Sequence, residues 1–168
     1  LPSVNRRRML FGMDLVALEE IKRVKYRYLR CVDLKQWDDV ADTFTADAVA
    51  DYGTPAKGDS SPLEGRDAIL AFLRQSLDND LITTHFAGQP EIEIDGDTAT
   101  GTWAFQDKVI SVKHGVVIAG AAFYEDAYRR DEDGRWRIAR TGYTRTYELT
   151  ASLKDLPNLK FTAHRWAE

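Results

Sequence analysis

Tyr28 and Asp33 close the segment Tyr28-Leu29-Arg30-Cys31-Val32-Asp33, and His85 follows much later in Thr83-Thr84-His85-Phe86. An imidazole oriented by a carboxylate is a general base near neutral pH, and a phenol beside it can hydrogen-bond an oxygen as charge builds there. The three types therefore suit proton transfer, provided the fold gathers them in one pocket. Two more groups enter through strand parity. Trp103, Phe105, Asp107 and Val109 share one face of a strand, so Asp107 points the same way as the aromatics. A carboxylate in such surroundings needs a cation, and the best candidate is Arg145, between Tyr143 and Tyr147. Trp136 and Ile138 have the opposite parity to Arg145, so a bulge near Gly142 is required if all of them face inward.

Each residue also has a purely structural explanation. Tyr28 continues a buried stripe and could be a core tyrosine. Asp33 stands three residues before Gln36, the spacing of a capping box. A histidine taken at random is more often structural than catalytic, and Asp107 with Arg145 could be a plain ion pair. His114, beside Gly115 in a turn, and His164, near the end of the chain, are expected to be exposed.

The elements that must position these groups follow from periodicity. From Asp14 to about Val32, Leu18, Ile21, Val24, Tyr28 and Cys31 or Val32 recur every three or four residues, an amphipathic helix. A shorter helix is expected from Lys35 to Thr45, a strand over 48–52, a surface loop from Gly53 to Pro62, and a third helix from Asp67 to Leu77. Residues 82–149 alternate apolar and polar, interrupted at Asp95-Gly96, at Lys113-His114-Gly115 and at Asp131-Glu132-Asp133-Gly134. That predicts four long strands joined by hairpins. The fold class is α+β, with about three N-terminal helices on a strongly curved, mostly antiparallel sheet that closes into a cone. Residues 1–13 read as a disordered or tag-like lead, 14–150 as the domain, and 151–168 as an apolar tail packing on the domain or on a neighbouring subunit.

Composition narrows the function. A chain of 168 residues can bury roughly two-thirds of its unfolded surface and enclose a cavity without disulfides. A net charge of -4 and a pI near 5.4 argue against nucleic acid as partner. The apolar run after Arg6-Arg7-Arg8 is too short for an export signal and no window approaches a membrane span. With a lone Cys31, a cytoplasmic protein is expected. No zinc spacing, calcium loop or phosphate-binding glycine loop is present in the sequence, so neither metal nor cofactor is expected.

Several pieces together resemble a known family: Tyr28 to Asp33 with Trp37, Pro90-Glu91-Ile92-Glu93-Ile94-Asp95, Ala99-Thr100-Gly101-Thr102-Trp103 with Asp107-Lys108, Gly120-Ala121-Ala122-Phe123-Tyr124, and Thr141 to Glu148. They are similar, in order and spacing, to the SnoaL-like branch of the nuclear transport factor 2-like superfamily, and within it most to the bile acid 7-alpha-dehydratases. The resemblance implies a cone with a deep apolar pocket. It also implies catalytic roles for Tyr28, Asp33 and His85 and supporting roles for Asp107 and Arg145. The expected activity is a cofactor-independent dehydration of a hydroxylated keto polycycle, such as a 3-oxo steroid or bile acid derivative, by a homotrimer rather than a dimer. The alternatives are a non-catalytic small-molecule binder of the same fold, or an isomerase or cyclase using the same base. Phe86-Ala87-Gly88-Gln89 departs from the bile acid enzymes, where a second histidine is expected, so the elimination machinery carries over better than the substrate.

Overall fold

A computed structural model describes residues 14–53, 61–77 and 80–166. The lead over 1–13 and most of the loop expected from Gly53 to Pro62 lie outside the described residues. The element order is α1 (Leu15–Asp33), α2 (Trp37–Asp42), β1 (Phe44–Asp51), β2 (Leu63–Glu64), α3 (Arg66–Ser76), β3 (Leu81–Asp95), β4 (Thr98–Ser111), β5 (Val116–Arg130) and β6 (Trp136–Ser152). A 3-10 turn over Leu153–Asp155 follows. One six-stranded sheet runs in the order β2-β1-β6-β5-β4-β3. The long strands pair antiparallel and β1 pairs parallel with β6. The fold is thus the α+β cone that the sequence leads one to expect, with one correction. Among the described residues the sheet is open, because β2 and β3 form its two outer edges and do not pair with each other.

α1 is amphipathic, and its N-terminus is capped by the Asp14 carboxylate, which accepts from the Ala17 N–H. It buries Ala17, Ile21, Tyr28, Leu29, Cys31 and Val32 against the sheet, where Phe44, Trp103, Phe105, Ala122, Tyr124 and Ile138 form the facing core. α2 is shorter than periodicity suggests. The Thr43 hydroxyl donates to the Val40 carbonyl at 2.6 Å, ending the helix, and Phe44 pairs with Ile138 of β6 instead of extending the helical stripe. β-branched and aromatic residues win as strand formers once a neighbouring strand is within reach.

The bulge demanded by parity is present. In the pairing of β5 with β6, Tyr128 meets Ile138 but Ala127 meets Arg140, which leaves Ala139 as the extra residue. A second shift leaves Thr146 extra, between the pairs Ala122 with Arg145 and Ala121 with Tyr147. Each extra residue exchanges the strand's two faces. Trp136 and Ile138 therefore point inward, and after Ala139 so do Thr141, Tyr143 and Arg145. β6 continues two residues past the expected domain end, to Ser152. Beyond it Leu156, Leu159 and Phe161 are exposed.

Candidate functional site

The concave face of the sheet, α1 and α3 enclose a cavity of about 310 Å³. That is near the lower end of the range of about 300–1,000 Å³ for small-molecule sites. Tyr28, Tyr52, Phe72, His85, Phe105, Asp107, Tyr124, Tyr143 and Arg145 line it, with aliphatic side chains between them.

Asp33 is the last residue of α1, where the helix must turn away from the sheet. No side chain caps the start of α2, so the capping-box explanation of Asp33 is replaced by another. Its carboxylate instead faces β3. It accepts from the Thr83 hydroxyl at 2.8 Å and the His85 backbone N–H at 2.9 Å, and it contacts His85 Nδ1 at 2.6 Å. Burial would raise the Asp33 pKa, but the hydrogen bonds from His85 and Thr83 outweigh it and hold the group below its ordinary value. An ionised carboxylate can only accept, so Nδ1 must carry a proton, which in the neutral ring leaves the lone pair on Nε2. The ring stacks on Phe105, with centroids 5.9 Å apart and planes 5° from parallel. Asp33 itself lines a shallow groove on the far side of the wall with Tyr26, Arg30, Leu34 and Phe86, so it supports the imidazole from behind.

The Tyr28 hydroxyl is 2.8 Å from that of Tyr52. Burial pushes both phenols above their ordinary pKa, and Tyr143 is pushed up to about 12 by the same cause. All three remain neutral hydrogen-bond donors at physiological pH. On the opposite side, Arg145 holds Asp107 through two hydrogen bonds of 2.5 and 2.8 Å, and its Nε lies 3.3 Å from Glu148. Asp107 and Arg145 are nearly buried, at 6% and 9% side-chain exposure. The structure thus brings four of the five sequence-derived residues to the cavity wall and sets Asp33 behind His85.

Sequence reasoning missed two groups around this site. Tyr52 reads as a strand end, and its pairing with Tyr28 depends on how β1 crosses the base of the cavity. Lys25 sits on the buried side of α1, fully enclosed, 2.7 Å from Asp126 and with its ammonium 3.3 Å from the Tyr124 ring centroid. Burial lowers its pKa against the opposing pull of Asp126. Asp126 also accepts from Tyr128 at 2.7 Å and from Thr141 at 2.7 Å. The signal was present: Lys25 lies four residues after Ile21 and three before Tyr28, on the apolar stripe, but a charge there reads as surface.

Among the described residues no three His, Cys, Asp or Glu side chains gather as metal ligands would. No helix among them is long and apolar enough to cross a membrane.

An uncharacterized protein of Mycobacterium tuberculosis is 31% identical over 148 residues, covering 87% of this chain and 97% of its own length. Among solved structures, a type 2 hexachlorocyclohexane dehydrochlorinase, LinA, superposes with a TM-score of 0.74 at 18% identity, over 89% of this chain and 95% of that one. A scytalone dehydratase-like protein of Novosphingobium aromaticivorans gives 0.70 at 20% identity, over 80% and 87%. At such identities these structures share the fold. Residues 13–142 match the SnoaL-like domain, which spans both the helices and the sheet that form the cavity, and the chain belongs to that family.

Proposed function

We propose that this protein is a cofactor-independent carbon–oxygen lyase that removes water from a hydroxylated, ketone-bearing polycyclic substrate, such as a 3-oxo steroid or bile acid derivative. One observation carries the reading: the imidazole fixed by Asp33 and the phenol of Tyr28 line the same apolar cavity. His85 Nε2 takes a proton from the carbon next to the conjugated carbonyl. Tyr28, supported by Tyr52, donates to the enolate oxygen, a contact worth more in a dry pocket than in water. The hydroxyl then leaves from the adjacent position, and the imidazolium can return the proton to it. Asp107 and Arg145 hold the far wall and orient the polar end of the substrate.

The dehydrochlorinase and dehydratase-like neighbours support an elimination on this fold, and the segments similar to bile acid 7-alpha-dehydratases support the substrate class. Since one fold hosts many reactions, the assignment rests on the site. We also take the protein to be a cytoplasmic homotrimer that binds neither nucleic acid nor membrane. In support of self-association, Phe86, Phe123, Tyr147 and Leu149 are exposed on the sheet face turned away from the helices, and the tail exposes Leu156 and Leu159.

The test is incubation with a panel of hydroxylated 3-oxo steroids and smaller phenolic ketones, read by mass. Loss of one water, abolished in His85→Ala at unchanged melting temperature, is the expected result. Products of unchanged mass would make the protein an isomerase or cyclase. Ligand binding without any product would make it a carrier.

A further inference from the structure

Lys35, one residue beyond the end of α1's cap, has φ +58, one of two non-glycine residues with positive φ among those described. The backbone there closes a Schellman motif, with the Gln36 N–H on the Cys31 carbonyl at 2.9 Å and the Lys35 N–H on that of Val32 at 3.1 Å. Glycine is the ordinary occupant of this left-handed position, because a side chain there crowds its own backbone. A lysine is therefore held at a local cost that glycine would remove, and such costs persist where the side chain serves a site. The Lys35 ammonium donates to the Thr83 hydroxyl at 3.3 Å. Thr83, buried in β3, donates in turn to Asp33 Oδ1 at 2.8 Å, the oxygen that also holds His85 Nδ1.

The order of donors is fixed by chemistry. An ammonium can only donate, so the Thr83 oxygen accepts from Lys35 and its single proton goes to Asp33. We infer that Lys35 and Thr83 are positioning residues for the Asp33–His85 pair, forming a one-way chain that pins the carboxylate in the rotamer and the acceptor-only state that fix the imidazole tautomer. The chain lies behind the cavity wall and touches no substrate. It deepens the lyase reading, which rests on that tautomer, but it makes its own claim about the free protein. With the chain intact, Asp33 accepts from two positions of β3, Thr83 and His85, while Lys35 of the connecting turn holds the Thr83 hydroxyl, so the carboxylate is fixed in its rotamer.

The test is nitrogen-15 NMR of the full chain without ligand, with the His85 signals assigned by their loss in His85→Gln. The wild type should show a single Nδ1–H tautomer whose proton exchanges slowly with solvent. Thr83→Val, which keeps the shape and removes the hydroxyl, should speed that exchange at least tenfold, and Thr83→Ser should restore it. Lys35→Gly should act in the same direction while raising Tm by about 2 °C, since the backbone cost is relieved. Lys35→Met, which keeps the backbone cost, should speed exchange without that gain. Unchanged Nδ1–H exchange in Thr83→Val overturns the inference, as does a Lys35→Gly protein that is more stable and keeps the slow proton. A locked tautomer that loosens as expected, in a protein that dehydrates none of the panel, leaves the chain standing and removes only the lyase.

Discussion

Gly120 lies in β5 between Asp107 of β4 and Glu148 of β6, where the Arg145 guanidinium crosses the strand. A methyl group at this position would sit 2.7 Å from Arg145 Nη1 and 2.6 Å from the Tyr147 carbonyl oxygen. Ordinary contact begins near 3.4 Å, so the guanidinium would have to retreat by about 0.7 Å, and the carbonyl, being backbone, can yield only by bending β6. The hydrogen bond of 2.5 Å from Nη1 to Asp107 cannot survive that displacement in its present geometry. Overpacking costs about 1–3 kcal/mol, and the weakened pair between two nearly buried ions adds to it, so we expect Gly120→Ala to lose about 3 kcal/mol. For a chain of this size that corresponds to a fall in Tm of about 6–12 °C, measured by circular dichroism. Gly96→Ala is the control: its methyl meets nothing within 4 Å, and only the positive φ of 59° penalises it. It should cost about 1 kcal/mol. A Gly120→Ala protein that melts no earlier than the Gly96→Ala control would show that the arginine does not need that space.

Asp33→Asn should leave Tm within a few degrees but lower turnover by about 100-fold to 10,000-fold, because an amide can donate to Nδ1 and present Nε2–H to the cavity. Turnover within threefold of wild type would refute the tautomer role. Lys25→Met strands the Asp126 carboxylate in the core and should destabilise by about 3–5 kcal/mol in urea titration, with part of the loss recovered by adding Asp126→Asn. No recovery in the double variant would mean that the lysine contributes packing rather than charge. Asp42 is held down to about 2 by Arg135 and Arg27 against the effect of burial. Its folded-state pKa is depressed, so its contribution is complete above the ordinary carboxylate range and drains away as pH falls toward 2. After screening, about 1 kcal/mol should separate wild type from Asp42→Asn at pH 6 and vanish near pH 2, read from urea midpoints. A gap that persists unchanged at pH 2 would refute the pairing.

Much of the fold was legible because its long elements are strongly periodic. The stripe of α1 and the parity of β4 placed Tyr28 and Asp107 on inward faces directly, and the conflict between Ile138 and Arg145 announced a bulge. What stayed hidden was what depends on partners far away in the chain. Lys25 looks like a surface residue until Asp126 is seen to meet it, and Asp33 looks like a cap until β3 arrives with Thr83 and His85. Phe44 reads as part of the helix over Lys35 to Thr45, and only its pairing with Ile138 shows it to be strand. The role of Tyr52 needed the path of β1, which local pattern does not give.

Ala139 acts as a phase shifter. Were the ladder to run on without skipping it, so that Ala139 rather than Arg140 met Ala127, Thr144 would face inward while Tyr143 and Arg145 turned outward, and the hollow would lose a phenol and its guanidinium together with no amino acid changed. The chemistry of the hollow thus hangs on which residue the ladder passes over as much as on which amino acids the strand carries.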